Sequence, residues 1–496
     1  MKRRQAPKAF FVCSILAVLT LCTPYPVYEA SHDKKRSTSV KQPPKGKRSQ
    51  NTPPKEVASA GNDSIWEVQP LSHLTASSKN GTDTASDQSV QSRADTAASI
   101  FFSNAAPNPF LRVVLSQNQK RTLLSSTGRI EIRCADRERV NAQGSLSFEI
   151  SSVSERVLFS LPKSGKRECS LPCTLWSHNE LNIIQFNGTS YRGSMILASE
   201  RHGFFSVINY CNVEDYLRGV IPLEIGNCGM EDIEAIKAQA VAARTYTYKK
   251  IQDCTNQAFD LLPDVSDQVY GGVNAEKTIC NQAIRETSGL VIVYSTVTSE
   301  GIKRDSLIFA YYHSTCGGKT ANIEDVWEKP KLPYLRSIED RDKNGRPFCM
   351  RSLYYSWVES WPVEQLSKIV NRYSSKAFPQ NPVSGTIKDV VIGDRYACGR
   401  TKTCRIKTTK GTFTYGGDKL RFVLRRKESG SPVLRSAIIS EVSKKAGTIV
   451  IKGKGYGHGV GMCQFGALGR ARAGQNYEQI LKAYYTGVEI RKIGAR

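Results

Sequence analysis

Glu231-Asp-Ile-Glu-Ala-Ile-Lys-Ala-Gln-Ala-Val-Ala-Ala-Arg-Thr-Tyr-Thr-Tyr-Lys-Lys250 is the stretch on which the fold turns. Ile233, Ile236, Ala240 and Ala243 recur at three- and four-residue steps, the period of an amphipathic α-helix. Lys237 and Arg244 lie seven residues apart and project from one face. They are expected either to present two cations to one cleft or to form an ordinary solvated basic edge. Upstream the period is different. The segments 111–115, 129–133, 146–150, 156–161, 182–186 and 204–210 alternate apolar with polar residues between turn residues, which predicts a β-rich region up to Asn212. Downstream, strands are expected at 290–294, 307–312, 390–392 and 448–452, and a helix at 477–485. Strands and helices are interspersed without a regular strand–crossover alternation, so the expected class is α+β and not a doubly wound sheet. The predicted organisation is a β-rich part over 106–212 followed by a mixed strand and helix core over 213–490, with no internal repeat.

Further toward the N-terminus the globular pattern stops. Residues 31–105 are rich in Ser, Thr, Lys, Pro, Asn and Asp, and carry too little apolar surface to offset the entropy of ordering; they are expected to form a disordered basic linker. The chain begins Met1-Lys-Arg-Arg, followed by an apolar run from Ala9 to Cys22, which is short for a membrane span and has the layout of a signal peptide over residues 1–30. A cleaved signal, an uncleaved inner-membrane anchor and a lipidated Cys22 are the alternatives. Of 14 cysteines, the twelve beyond this segment suit an oxidising compartment, with Cys169/Cys173 and Cys398/Cys404 as local pairing candidates. A formal net charge of +25 calls for an anionic partner, either nucleic acid, anionic lipid or acidic polysaccharide. Export disfavours nucleic acid, and the aromatics are not interleaved with the basic runs.

Three segments carry chemistry. In Gly453-Lys-Gly-Tyr-Gly-His-Gly-Val-Gly461 every second residue is glycine, so an extended chain would have one bare face open to close approach by a backbone or a ligand. It lacks the ending of a phosphate loop. His313 and Cys316 stand at a spacing that suits one metal, zinc above all, with Cys349 as a third ligand; Cys316 and Cys349 fit a disulfide equally well. Glu224 sits among apolar neighbours in Val220-Ile-Pro-Leu-Glu224, where its charged form is disfavoured. A carboxyl so placed can donate a proton near neutrality.

Five blocks in order resemble the stage II sporulation protein D and amidase enhancer family: Val213-Glu-Asp-Tyr-Leu-Arg-Gly-Val-Ile-Pro-Leu-Glu224, Ala235-Ile-Lys-Ala-Gln-Ala-Val-Ala-Ala-Arg-Thr-Tyr246, Ser266-Asp-Gln-Val-Tyr-Gly-Gly272, Tyr312-His-Ser-Thr-Cys-Gly-Gly318 and Gly455-Tyr-Gly-His-Gly-Val-Gly-Met-Cys-Gln-Phe-Gly-Ala467. The resemblance covers about residues 108–489. It implies a peptidoglycan lytic transglycosylase that cleaves between N-acetylmuramic acid and N-acetylglucosamine in strands stripped of stem peptides. Glu224 falls on the catalytic position. Lys237, Gln239, Arg244, Tyr246, Tyr270, His458 and Gln464 are the implied substrate-contacting residues, with Lys237 and Arg244 on the muramyl carboxylate or in structural ion pairs. No cofactor is required for catalysis. Relatives with His and Cys zinc ligands imply a structural zinc on His313, Cys316 and Cys349. The implied partners are glycan strands and a cell-wall amidase, and the implied location is the cell envelope. A catalytically silent enhancer of an amidase, or a zinc amidase, are the rival expectations. This sequence departs from the family at Cys463, where many relatives have Ser, and in the loop Gly226-Asn-Cys-Gly229.

Overall fold

The computed structural model describes residues 108–494 apart from 152–155, 162–164, 178, 180–182, 202, 255–256 and 429–431. The expected signal segment over residues 1–30 and the expected linker over 31–105 lie outside the described residues.

The first sheet has ten strands: β1 (Phe110–Gln119), β2 (Arg121–Cys134), β3 (Arg139–Ile150), β4 (Val157–Leu161), β5 (Gly165–Cys169), β6 (Cys173–Trp176), β7 (Ile184–Phe186), β8 (Thr189–Tyr191), β9 (Ser194–Ser199) and β10 (Phe205–Asn212). They run in the order β1-β10-β9-β6-β2-β3-β4-β5, with β7 beside β2 and β8 beside β7. Period-two patterning drives it: Leu124, Ile130 and Ile132 of β2 and Leu146 and Phe148 of β3 face the core while their neighbours face out.

β10 runs straight into the helix α1 (Val213–Ile225) because Asn212 caps it, its side chain accepting the Asp215 N–H at 2.8 Å. Gly226, with φ +83°, ends α1. The predicted amphipathic helix forms as α2 (Ile233–Asp253), but it is buried on nearly every side from Ala235 to Tyr248. Its five alanines in that span present no bulk, so elements close in all round, and the predicted solvated basic edge does not exist. Around α2 lie α1, the helix α3 (Thr278–Glu286), and the strand β11 (Leu290–Val297), which pairs with β12 (Lys303–Leu307) and with a C-terminal strand, residues 488–492. The expected strand at 307–312 is split: β12 ends at Leu307 and β13 (Tyr312–His313) turns away to pair in parallel with residues 462–463.

Between these two partners is inserted a unit with its own hydrophobic core, centred on Trp361, Leu366, Val370, Ile406, Leu434 and Ile451. It contains β14 (Ser356–Pro362), α4 (Val363–Ala377), β15 (Ile387–Ile392), β16 (Thr403–Thr408), β17 (Gly411–Gly416), α5 (Leu420–Val423), β18 (Ile438–Lys445) and β19 (Thr448–Lys454), in two three-stranded sheets, β14-β19-β18 and β15-β16-β17. The chain then passes through the glycine run into β20 (Met462–Cys463), α6 (Gln464–Arg472), α7 (Tyr477–Tyr484) and β21 (Val488–Lys492). The fold is α+β. Among the described residues no helix is long and apolar enough to cross a membrane.

The glycine run is not an extended strand with one bare face. Gly455, Gly457, Gly459 and Gly461 all have positive φ, between +72° and +103°. A Cβ on Gly461 would lie 2.0 Å from the Tyr311 carbonyl oxygen, and one on Gly455 2.7 Å from that of Thr315. The bare positions let two backbones pass at contact distance, which locks residues 311–316 against 455–463.

Candidate active site

Glu224 occupies the last turn of α1 and is half-buried. Its Oε1 accepts the Val269 N–H at 3.0 Å, and its Oε2 accepts from Gln464 Nε2 at 3.4 Å. One carboxyl therefore gathers three distant segments: the end of α1, the turn at 266–272 and the first residue of α6. Burial pushes its pKa up to about 7, against the two hydrogen bonds, which pull it down. A group so poised is half-protonated near neutrality and can both give and take a proton.

The floor of this region is organised by Gln268. Its Oε1 accepts from Tyr216 Oη at 3.3 Å and Thr247 Oγ1 at 2.9 Å, and its Nε2 donates to Tyr312 Oη at 3.0 Å. Burial first, and nearby carboxylates including Glu224 second, push the Tyr216 and Tyr312 hydroxyls well up. Both stay protonated. Val460 N–H donates to His458 Nδ1 at 3.1 Å, so the ring proton is on Nε2, which donates to the Tyr312 carbonyl at 2.9 Å. Burial brings the His458 pKa down to about 4, which leaves a neutral ring that orients the Tyr312 backbone. Next to it stands an aromatic wall: Trp327 lies 4.9 Å from His458 and 4.9 Å from Tyr311, and Phe309 stacks on Tyr311 at 5.9 Å. Lys329 donates to Tyr311 Oη at 2.9 Å, and both it and Lys249 lie over the Phe309 ring. Phe309, Trp327 and Lys329 keep part of their surface exposed.

Of the predicted contact residues, Gln464 and His458 meet this site and others do not. Arg244 is fully buried and forms a bidentate pair with Glu214, at 2.7 and 2.8 Å, while also donating to the Leu290 and Ile284 carbonyls. Lys237 pairs with Glu234 and Glu286, each at 2.8 Å. The two cations thus face separate carboxylates and form structural ion pairs. Tyr246 donates to Asp267 at 2.7 Å and edges onto Tyr311; Tyr270 donates to Asn209 at 2.9 Å and packs between Tyr216 and Tyr191 in the core. Gln239 is fully buried, and neither end of its amide has a partner among the described residues. The unusual loop is tied by contacts of its own: Asn227 accepts from Lys277, and Gly229 N–H donates to Asp232, which is held by Arg472 at 2.7 Å.

The expected ligand set needs correction. His313 points toward Val460, with Nδ1 3.2 Å from its carbonyl, and not toward the cysteines. Cys316 and Cys349 are free thiols, their sulfurs 3.6 Å apart, joined by Cys463 and Asp340 in a fully buried group whose donor atoms all lie within 4.8 Å. Three sulfurs and one oxygen fit tetrahedral zinc. The surroundings are prepared for thiolates: Gly318 N–H points at Cys316 Sγ at 3.3 Å, and Cys316 and Gly466 N–H point at Cys463 Sγ at 3.1 and 3.2 Å. Asp340 is oriented by Arg470 at 3.0 Å and Tyr484 at 2.9 Å, both donating to Oδ1, which leaves Oδ2 to face the sulfurs. Cys463 had a signal in the sequence, its departure from the usual Ser. Asp340 had none, and Gln268 lies within the segment Ser266–Gly272 with nothing in its neighbours to mark its role.

The geometry defines an acid-bearing site built on an α+β core with a separate buried thiol cluster. A family model described as Stage II sporulation protein matches residues 201–294, and one described as a domain of unknown function matches residues 349–461, most of which is the inserted unit. The chain is 32% identical over 305 residues to an uncharacterized protein of Brachyspira hyodysenteriae, covering 61% of this chain and 73% of that protein. It is 30% identical over 305 residues to the amidase enhancer of Bacillus subtilis (55% of this chain, 40% of the relative) and 29% identical over 299 residues to the stage II sporulation protein D of Bacillus amyloliquefaciens (56% and 74%). The chain belongs to the stage II sporulation protein D and amidase enhancer family.

Proposed function

We propose that this chain is an exported cell-envelope lytic transglycosylase that acts on peptidoglycan strands lacking stem peptides. The observation that carries this is the Glu224 carboxyl, with its pKa pushed up to about 7 by burial and with hydrogen bonds from two other family blocks. Protonated Glu224 gives its proton to the oxygen linking N-acetylmuramic acid to N-acetylglucosamine as that bond breaks. The resulting carboxylate then takes the proton from the muramyl C6 hydroxyl as its oxygen attacks C1, which closes a 1,6-anhydro ring without water. One residue serves as acid and then as base. Gln464 and Val269 N–H hold the carboxyl, and the partly exposed Phe309 and Trp327, backed by Tyr311, offer a face for a sugar ring, with Lys329 beside it for the lactyl carboxylate. Lys237 and Arg244 have no place in this substrate site.

Zinc, when bound by Cys316, Cys349, Cys463 and Asp340, would supply a crosslink between the segment that follows β13, the end of β20 and residues 340–349. Complete burial of all four donors supports a structural metal and speaks against a zinc amidase. The name of the Bacillus subtilis relative supports the second reading, a silent glycan-binding partner of an amidase. Incubating the purified protein with peptide-free glycan strands and analysing the digest by mass spectrometry separates the two. Anhydro-muramyl ends from the wild type and none from Glu224→Gln support the lyase; binding without product by the wild type rejects it and favours the enhancer.

A further inference from the structure

A second thiol cluster lies in the N-terminal sheet, apart from Glu224 and from the first cluster. Cys134 is the last residue of β2, Cys169 the last of β5 and Cys173 the first of β6. Cys134 and Cys173 are directly opposed across the β2–β6 pair. All three sulfurs lie within 4.8 Å of one another, all are free, and the residues are 8%, 0% and 0% exposed. We propose that Cys134, Cys169 and Cys173 bind a zinc ion at the seam where the edge strand β5 returns to the middle of the sheet.

Number and placement separate a ligand set from a disulfide. A disulfide would take two of the sulfurs and strand a third buried thiol against the bond, open to exchange. Two sulfurs on one tetrahedral zinc, each about 2.3 Å from the metal, stand about 3.8 Å apart, within the limit observed here. Three separate strand ends converge on the point, and among the described residues only one other group of this kind exists, the one already assigned. The setting also resembles that of the first cluster in having a charged anchor outside the sulfurs: Asp136 accepts the Ser170 N–H at 3.2 Å and Arg156 at 2.6 Å, and Arg156 also donates to the Glu168 carbonyl at 3.3 Å. These contacts hold the Cys169–Cys173 connection over Cys134, as outer partners hold a ligand loop.

Binding releases three protons and forms three zinc–sulfur bonds, leaving one negative charge on the centre beside the Arg156 guanidinium. Cys134, the one member with an exposed edge, marks the side on which the ion enters and a water completes the shell. In the sheet order β5 is an end strand joined only to β4. The metal fastens it to β2 and β6 and so holds the sheet's curl.

The test is the zinc content of the purified full-length protein, by plasma mass spectrometry, for the wild type and for Cys169→Ser/Cys173→Ser. Loss of one metal per chain, with the first cluster still loaded, is expected; unchanged content overturns the proposal. Should the double variant not fold, the wild type decides by alkylation with iodoacetamide. Cys134, Cys169 and Cys173 are expected to be protected until a chelator is added and modified afterwards. Equal reactivity with and without chelator, or a disulfide among the three in an unreduced digest, overturns the proposal.

Discussion

Replacing Glu224 by Gln should make the protein more stable in mild alkali while abolishing its proposed chemistry. The folded carboxyl titrates at about 7 against an ordinary value of 4.5. At about 1.4 kcal/mol for each tenfold change in proton affinity, the gap is worth at most about 3 kcal/mol, reduced to about 1–2 kcal/mol by the solvent contact Glu224 retains. The sign follows from the raised value. The folded state binds the proton more tightly, so stability is full below about pH 4.5, falls as the pH rises through 7, and carries the whole burden of a half-buried carboxylate above it. A neutral amide removes that burden. Gln at 224 keeps an oxygen for the Val269 N–H, and Gln464 can turn its own amide to accept from the new NH₂ group. Urea unfolding of the wild type and Glu224→Gln should therefore give a difference near zero at about pH 4.5 that grows to about 1–2 kcal/mol in favour of the variant at about pH 8. A variant less stable than the wild type at the higher pH, or a difference that ignores pH, would refute the burial argument and with it the basis for Glu224 as the acid.

Other outcomes follow from the same geometry. Glycan cleavage should decline as the pH rises past about 7, when the acid is lost, and a pH–rate profile with no such limb would count against Glu224. Arg244→Met leaves Glu214 without its partner and should cost about 3–5 kcal/mol in denaturant unfolding, with Glu214→Gln/Arg244→Met recovering part of it; a stable single variant with only weakened glycan binding would return Arg244 to the substrate site. Gly461→Ala, forced onto a carbonyl at positive φ, should lower stability by about 3 kcal/mol or more, which thermal melting will read; a melting temperature close to that of the wild type would show that the backbone contact is soft. Trp327→Ala should raise KM about tenfold, the worth of roughly 60 Å² of indole shielded by a sugar at about 25 cal/mol/Å², and an unchanged KM would remove the aromatic wall from the site. Cys463→Ser should release the zinc proposed for the first cluster, as metal analysis would detect; full retention of metal would reassign its ligands.

The α+β class was legible in the order of residues alone, because period two and period 3.6 are local properties of the chain: the alternation in β2 and β3 and the three- and four-residue steps before Lys250 each impose one geometry. The resemblance carried by the five blocks singled out Glu224, and its apolar neighbours indicated a raised pKa. What lay beyond the sequence was every property set by contacts between distant segments. Arg244 could be read as a substrate contact or as half of a structural ion pair, and Glu214, thirty positions away, decides for the pair in the interior. His313 and Cys316 suit one metal by spacing, yet β13 turns the two side chains apart, and Asp340 and Cys463 arrive from elsewhere in the chain. The alternate glycines announced a close approach, but only the packed structure shows that what approaches is the backbone of residues 311–316. Glu224 itself gains its surroundings from Val269 and Gln464, 45 and 240 positions away. A residue's type limits the chemistry it can do, and tertiary packing decides which partner and which dielectric it does it in.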